Sequence, residues 1–200
     1  WFEDAADNMG VDVMRWLFLR QNPANNINFG YGPADEVRRA MFLTLWNTYA
    51  FFVTYAELDG WTPAAAAGDL ERSELDRWVL SQLADTVRTA RDGLSDYDAT
   101  GAGRRIQRFV DDLSNWYVRR SRRRFWRAGA DADKDSAFLT LWDCLEGVAR
   151  LSAPFTPFIT DEIFTNLTGP VDGPDSVHLA DWPAPDDARR DDTLRRRMAL

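Results

Sequence analysis

The segment from about Ala34 to Leu58 constrains the fold more than any other part of the chain. Val37, Met41, Thr44, Leu45, Thr48, Tyr49, Phe52 and Tyr55 recur at helical spacing and share one broad face. Phe42, Trp46 and Val53 widen that face to roughly half the circumference of the helix. A helix this apolar has to be covered on more than one side, which places it centrally in a bundle.

Three more long patterns supply the cover. The second helix opens at Ser73, with Asp76 three residues on as a variant of the capping box, and continues through Trp78, Leu80, Leu83, Val87 and Leu94. The third runs from about Thr100 to Arg127. The fourth starts near Asp135, carries Phe138, Leu141, Trp142, Leu145, Val148, Ala149 and Leu151, and is broken by Pro154 and Pro157. A short helix through Ile159, Ile163, Phe164 and Leu167 follows. Ahead of the bundle, Phe2 to Arg20 has helical spacing, with Gly10 and Asp12 as openers and Asn22-Pro23 as the stop. Pro23 to Pro33, Gly60 to Gly68 and Gly169 to Pro174 read as loops. Ser176 to Ala180 reads as one short strand, and the charged tail from Pro183 has little to bury. The expected fold is all-α: an up-down antiparallel bundle of four long helices plus a short flanking helix, with one short C-terminal strand.

Composition agrees with a core of this size. The 200 residues suit one domain, and 45% hydrophobic with 13% aromatic residues excludes disorder as the default. Cys144 is the only cysteine, so no intrachain disulfide can form, which fits a reducing cytoplasm. No apolar run approaches the roughly 18–20 residues that span a bilayer. The chain opens on Trp1 in mid-pattern, without an initiator Met or a signal segment, and reads as an excised fragment.

Charge is distributed unevenly. The chain carries a formal −8, yet between Arg104 and Arg127 nine Arg face only Asp111 and Asp112, a local +7. Screening confines surface fields to about 8–10 Å at physiological salt, so a basic segment in an acidic chain still attracts phosphate. Of 24 basic residues only Lys134 is Lys. Codon bias accounts for such a ratio, although the planar fork of Arg also suits bidentate phosphate contact.

The stretch LSNWYVRRSRRRFW, Leu113 to Trp126, concentrates that charge. On a wheel of about 100° per residue, Ile106, Phe109, Val110, Leu113, Trp116 and Tyr117 form one stripe that continues into Arg120, Arg124 and Arg127. Buried unpaired guanidinium groups are costly, so these need partners. Two solutions stand open: acids of neighbouring helices such as Glu57, Glu146 or Glu162, or an RNA backbone or second domain beyond the bundle. Arg119, Arg122 and Arg123 point elsewhere. A charge run is ordinarily a solvated face, but five of the six positions from Arg119 to Arg124 are Arg, with aromatic residues interleaved, and this composition points to phosphate contact.

Other chemistry is weak. His178 stands alone and cannot form a catalytic pair or a metal site. Asp111-Asp112 and Asp161-Glu162 are neighbours that diverge on a helix. Gly101-Ala102-Gly103 lacks the lysine of a phosphate loop and reads as a helix start. Cys144 reads as an inert core thiol.

LSNWYVRRSRRRFW resembles the signature helix of the isoleucyl-tRNA synthetases. MGVDVMRWLFL is similar to the helix after the signature lysine loop of class I synthetases, LTLWNTYAFFVTYA to the first bundle helix, and SELDRWVLSQL to the second. APFTPFITDEIFTNL and SVHLADWP resemble the exit of the fourth helix and a closing strand. The resemblance covers about residues 9 to 183. Valyl and leucyl relatives share the architecture but not the Trp-Tyr and arginine-rich run, and a valyl-type domain is the nearest alternative. The loop NPANNINFG departs from the pattern in lacking a Trp. The HIGH-type and KMSKS-type motifs and an editing domain are absent, so amino-acid activation is not expected on this chain. ATP and magnesium belong to the catalytic portion of such an enzyme, and no cofactor is expected here.

The resemblance implies residues 1–33 as the end of a linker region following the catalytic domain, 34–183 as the anticodon-binding bundle and 184–200 as the start of a C-terminal extension. It implies isoleucine-specific tRNA and the parent's own catalytic domain as partners, a cytoplasmic location and no membrane. Arg119, Arg120, Arg122, Arg123, Arg124 and Arg127 become candidate phosphate contacts, and Trp126 a stacking platform. Asn47, beside Trp46, becomes either an anticodon contact or a helix-packing hydrogen bond. The rival readings are a scaffold that docks its arginine helix on the catalytic domain, and a free-standing RNA binder derived from a synthetase.

Overall fold

The computed structural model describes residues 1–63, 70–129, 131–171 and 173–198, apart from the side chain of Pro170. Most of the Ala-rich loop expected before Gly68 lies outside these residues. Helices α1 (Phe2–Met9) and α2 (Val11–Leu19) are separated at Gly10, whose φ of 85° favours glycine. The broad-faced helix is one continuous run: α3 (Tyr31–Val37), a π-helical stretch Arg38–Leu43 and α4 (Thr44–Asp59). Next come α5 (Glu74–Ser95), then α6 (Ala99–Asp111), a second π-helical stretch Asp112–Val118 and α7 (Arg119–Trp126). Helices α8 (Ala132–Ser152), α9 (Pro157–Thr168) and α10 (Asp192–Met198) complete the order.

Local chemistry explains the boundaries. Ser73 accepts from the Asp76 amide and the Asp76 carboxylate accepts from the Ser73 amide, a complete capping box at the start of α5. Asp98 caps α6 through the Gly101 amide, and Asp131 caps α8 through the Lys134 amide. Pro157 sits in the first turn of α9, where its missing N–H costs nothing.

The core runs through the whole bundle. Trp16, Ile106, Phe109, Leu113, Tyr117, Phe125, Phe138, Leu141, Leu145 and Phe164 are fully buried. Helix α2 is built into it: Trp16 packs edge-on against Phe42 and Phe155, Arg15 donates to the carbonyls of Pro154 and Phe155, and Asp12 accepts from the Ile159 amide where α9 begins. At the far end an aromatic cluster joins α4, α7 and α8. Phe125 meets Phe51 at 5.2 Å and Phe138 at 4.9 Å, and Trp61 stacks on Phe138 at 5.3 Å. This cluster is the floor beneath the arginine helix.

Two expectations about the C-terminal end are corrected. Ser176 to Ala180 is not a strand. Val177–Leu179 form one 3-10 turn, and no strand occurs among the described residues. Ser176 accepts from the His178 amide, while Asp161 accepts from the Ser176 hydroxyl and the Val177 amide, so side chains satisfy the backbone groups that a sheet ladder would otherwise have to pair. The charged tail also packs: α10 lies against α5 with Leu194 buried, and the Asp191 amide donates to the buried Ser81 hydroxyl.

Candidate nucleic-acid interface

Helix α7 is only eight residues long, and its faces differ sharply in chemistry. Val118, Ser121 and Phe125 turn inward and are buried. Arg119, Arg122, Arg123 and Trp126 follow at i, i+3, i+4 and i+7, one strip down the outer face. All four are exposed, Trp126 by 55%. Among the described residues no carboxylate lies within ion-pair distance of Arg119, Arg120, Arg122 or Arg123. Among the described residues these cations therefore have no carboxylate to neutralise them.

Arg120 and Arg124, placed together on the inward stripe by the wheel, separate in the structure. Arg120 is exposed and lies over the Trp116 ring, 3.9 Å from its centre. Trp116 is only half-buried, whereas Val118 and Phe125, off the predicted stripe, are core. The π-helical stretch Asp112–Val118 is the cause. Its i→i+5 bonding accommodates one extra residue and turns everything downstream by about 100°. A wheel of constant period cannot anticipate that insertion.

Arg124 takes the opposite course. Its two terminal nitrogens donate to both oxygens of Asp76 at 2.7 and 2.9 Å, and it reaches Asp133 as well, donating to its carbonyl at 2.8 Å and pairing with its carboxylate at 2.9 Å. The Asp76 side chain is completely buried, and it also accepts from the Tyr117 hydroxyl at 2.7 Å and from Ser73 and Ser136. Burial pushes the Asp76 carboxyl up, but Arg124, Tyr117 and Ser73 outweigh it and leave it below the usual carboxylate range. Burial likewise pulls Arg124 down, and Asp76 more than reverses that. The internal partner is thus a capping-box aspartate on α5 and not Glu57, Glu146 or Glu162. Glu57 and Glu162 are exposed, and Glu146 pairs with Arg150. Arg127 is half-exposed and pairs with Asp131 at 3.6 Å and Asp133 at 3.4 Å.

The end of α7 is also anchored. Lys134, the only lysine, is buried; it pairs with Asp59 at 2.5 Å and donates to the Arg127 carbonyl at 2.8 Å. Asn47 is exposed on α4, one turn before Phe51 and so on the side of α4 that meets α7. Among the described residues its side chain makes no helix-packing hydrogen bond. Trp46 beside it is 41% exposed. His178 is exposed with Nε2 3.2 Å from the Pro157 carbonyl, and burial pushes the Cys144 thiol up.

Fold and surface together define a helical domain that presents an unneutralised cationic face, consistent with an anion-binding module. Comparison with known proteins makes this specific. The family profile described as anticodon-binding domain of tRNA ligase matches residues 76–200, and the chain belongs to that family. It is 48% identical over 97% of its length to an isoleucine–tRNA ligase of Dehalococcoides mccartyi, 45% over 96% to that of Deinococcus radiodurans and 40% over 98% to that of Pyrococcus furiosus. It spans about a fifth of those relatives, 19, 18 and 19% respectively. A chain from the ternary complex of Agrobacterium radiobacter K84 agnB2 LeuRS, tRNA and LeuAMS shares the fold with a TM-score of 0.68 at 17% identity, over 94% of this chain and 21% of that one.

Proposed function

We propose that this domain holds the anticodon stem and loop of isoleucine tRNA against the outer face of α7, as part of an isoleucine–tRNA ligase whose catalytic portion performs the ATP- and magnesium-dependent aminoacylation. The observation that carries the reading is the set Arg119, Arg120, Arg122 and Arg123, exposed and without carboxylate partners among the described residues in a chain of net −8. Trp126 at the end of the strip and Asn47 across from it supply stacking and base-edge contacts. The domain performs no chemistry and takes no cofactor; its contribution is binding energy and orientation of a distant acceptor end. Residues 1–33 serve as the end of the linker from the catalytic domain, 34–183 as the anticodon-binding bundle and 184–200 as the start of an extension, in a cytoplasmic enzyme. Burial of Trp16 and the grip of Arg15 on the α8–α9 break support a linker that moves with the bundle as one body.

The test is titration of the chain and of its Arg119→Ala/Arg122→Ala/Arg123→Ala variant with an anticodon stem-loop at several salt concentrations. Each phosphate contact to a largely single-stranded target is worth about 0.7 in the slope of log K against log salt, so the variant's slope flattens by about 2. An unchanged slope removes the assignment. A second reading, a scaffold docking α7 on the catalytic portion, draws support from the internal pairing of Arg124 and Arg127. It expects RNA binding to survive the triple substitution and reconstitution with the catalytic portion to fail.

A further inference from the structure

A second cationic site lies away from α7, where α10 crosses α5 and α6. Asp85 on α5 is approached by Arg105 at 3.3 Å, Arg190 at 3.4 Å and Arg195 at 2.5 Å. Asp192 is shared between Arg190 at 3.4 Å and Arg195 at 2.9 Å. Beside them opens a cleft of about 400 Å³ lined by Gln82, Asp85, Arg105, Arg108, Asp192, Arg195 and Arg196. Of the lining groups, Arg105, Arg108, Arg195 and Arg196 face Asp85 and Asp192, with Asp112 one turn along from Arg108, so four guanidinium groups meet three carboxylates; Arg190 alongside also reaches Asp187 at 4.0 Å. Acceptors are short as well: the Nε atoms of Arg190 and Arg195 are buried without a partner. Burial pulls Arg105 below its ordinary value; Asp85 opposes this, and Arg195 adds repulsion. Arg108 and Arg196 stand exposed at the mouth, and among the described residues neither has a carboxylate within ion-pair distance.

We propose that this cleft between α5, α6 and α10 binds one phosphate of the same transfer RNA, a second anchor separate from the α7 face. The inference rests on the RNA-binding reading above. A phosphate at the mouth brings the negative charge that Arg108 and Arg196 lack among the described residues, and guanidinium pairs match its geometry. Arg108 belongs to the helical run that ends in α7; Arg119 lies eleven positions on, about 16 Å along the axis. A groove lined by Arg20, Arg104, Gln107, Arg108 and Asp111 adjoins it, so Arg108 stands within a wider cationic surface.

The test substitutes only the two exposed residues, Arg108→Ala/Arg196→Ala, leaving Arg105 and Arg195 on Asp85. The double variant keeps its helicity, binds an anticodon stem-loop about tenfold more weakly, the worth of one charge-assisted hydrogen bond, and shows a salt slope flatter by about 0.7–0.9. Arg108→Lys/Arg196→Lys recovers the slope because the charge returns. The loss adds to that of the α7 triple variant. A double variant with unchanged affinity and slope, beside a triple variant that loses both, overturns this site and leaves the α7 reading standing. A triple variant without effect beside a weakened double variant overturns the α7 reading and keeps this site. Melting with inorganic phosphate at matched ionic strength separates the sources: if phosphate stabilises the parent chain over the double variant while RNA binding is the same for both, the cleft takes free anions only and the RNA assignment is overturned.

Discussion

Arg122 and Arg124 stand two positions apart on one short helix and have opposite surroundings. Arg122 is exposed, with no carboxylate in reach among the described residues, while Arg124 holds a completely buried carboxylate in both hands. Residue type and local sequence are nearly the same; what differs is which side of the helix meets α5. One guanidinium fixes the pitch of α7 on the bundle, and the fixed helix leaves the others exposed; under the proposed function they meet an anion at no further ordering cost to the backbone.

The sharpest way to break this comparison is to remove the carboxylate. Asp76→Ala strips Arg124 of its buried bidentate partner, leaving only the half-exposed Asp133, and also removes its half of the cap of α5, for an expected loss of about 3–5 kcal/mol in urea unfolding. A loss under about 1 kcal/mol would mean that Arg124 simply swings out to solvent and is no different from Arg122.

Acid reports on the same pair. The folded-state pKa of Asp76 lies below its unfolded value of about 3.9, so its contribution is fully present above that value and is lost as pH falls through the folded one. The stability gap between the parent chain and Asp76→Asn is therefore constant near neutrality and closes below about pH 4. A gap that stays constant down to pH 2 contradicts the lowered pKa. Tyr117→Phe removes one hydrogen bond to the charged group and leaves the ring in the core, for an expected loss of about 1.5 kcal/mol.

The exposed arginines behave otherwise. Arg120→Ala gives up only its contact with the Trp116 ring, roughly 0.5–1 kcal/mol in the same unfolding experiment. Smallest per residue is the Arg119/Arg122/Arg123 triple substitution, expected within about 0.5 kcal/mol at each site although it carries the large change in RNA salt slope under the proposed function. A cooperative loss of helicity in that variant would erase the distinction between structural and exposed arginines.

Much of this architecture was legible in the sequence, because helix formation here is a local matter. The broad face from Val37 to Tyr55, the Ser73 cap with Asp76, the stop at Pro154 and Pro157, and the motif LSNWYVRRSRRRFW each depend on residues within a few turns of one another, and each marks a helix, a boundary or the family. Composition within the motif also singled out the arginines on α7 as the residues to examine.

Tertiary structure alone decided which arginine does what. A wheel assumes one constant period, and the π-helical stretch at Asp112–Val118 breaks it, so Val118 and Phe125 became core while Arg120 moved to the surface. The partner of Arg124 is equally hidden: Asp76 lies 48 residues away, and its sequence context marks only a local cap. Its second role exists because α5 and α7 bring the two ends of a salt bridge together inside the bundle. The misplaced strand at Ser176–Ala180 has a related cause. Alternating residues describe a strand only when another backbone lies alongside, and here the Asp161 side chain reached the Ser176 hydroxyl and the Val177 amide instead. The sharing of Asp85 and Asp192 among Arg105 of α6, Arg190 ahead of α10 and Arg195 of α10 is likewise a product of how α10 lies against α5 beside α6, since no local pattern relates residues 85, 105 and 195.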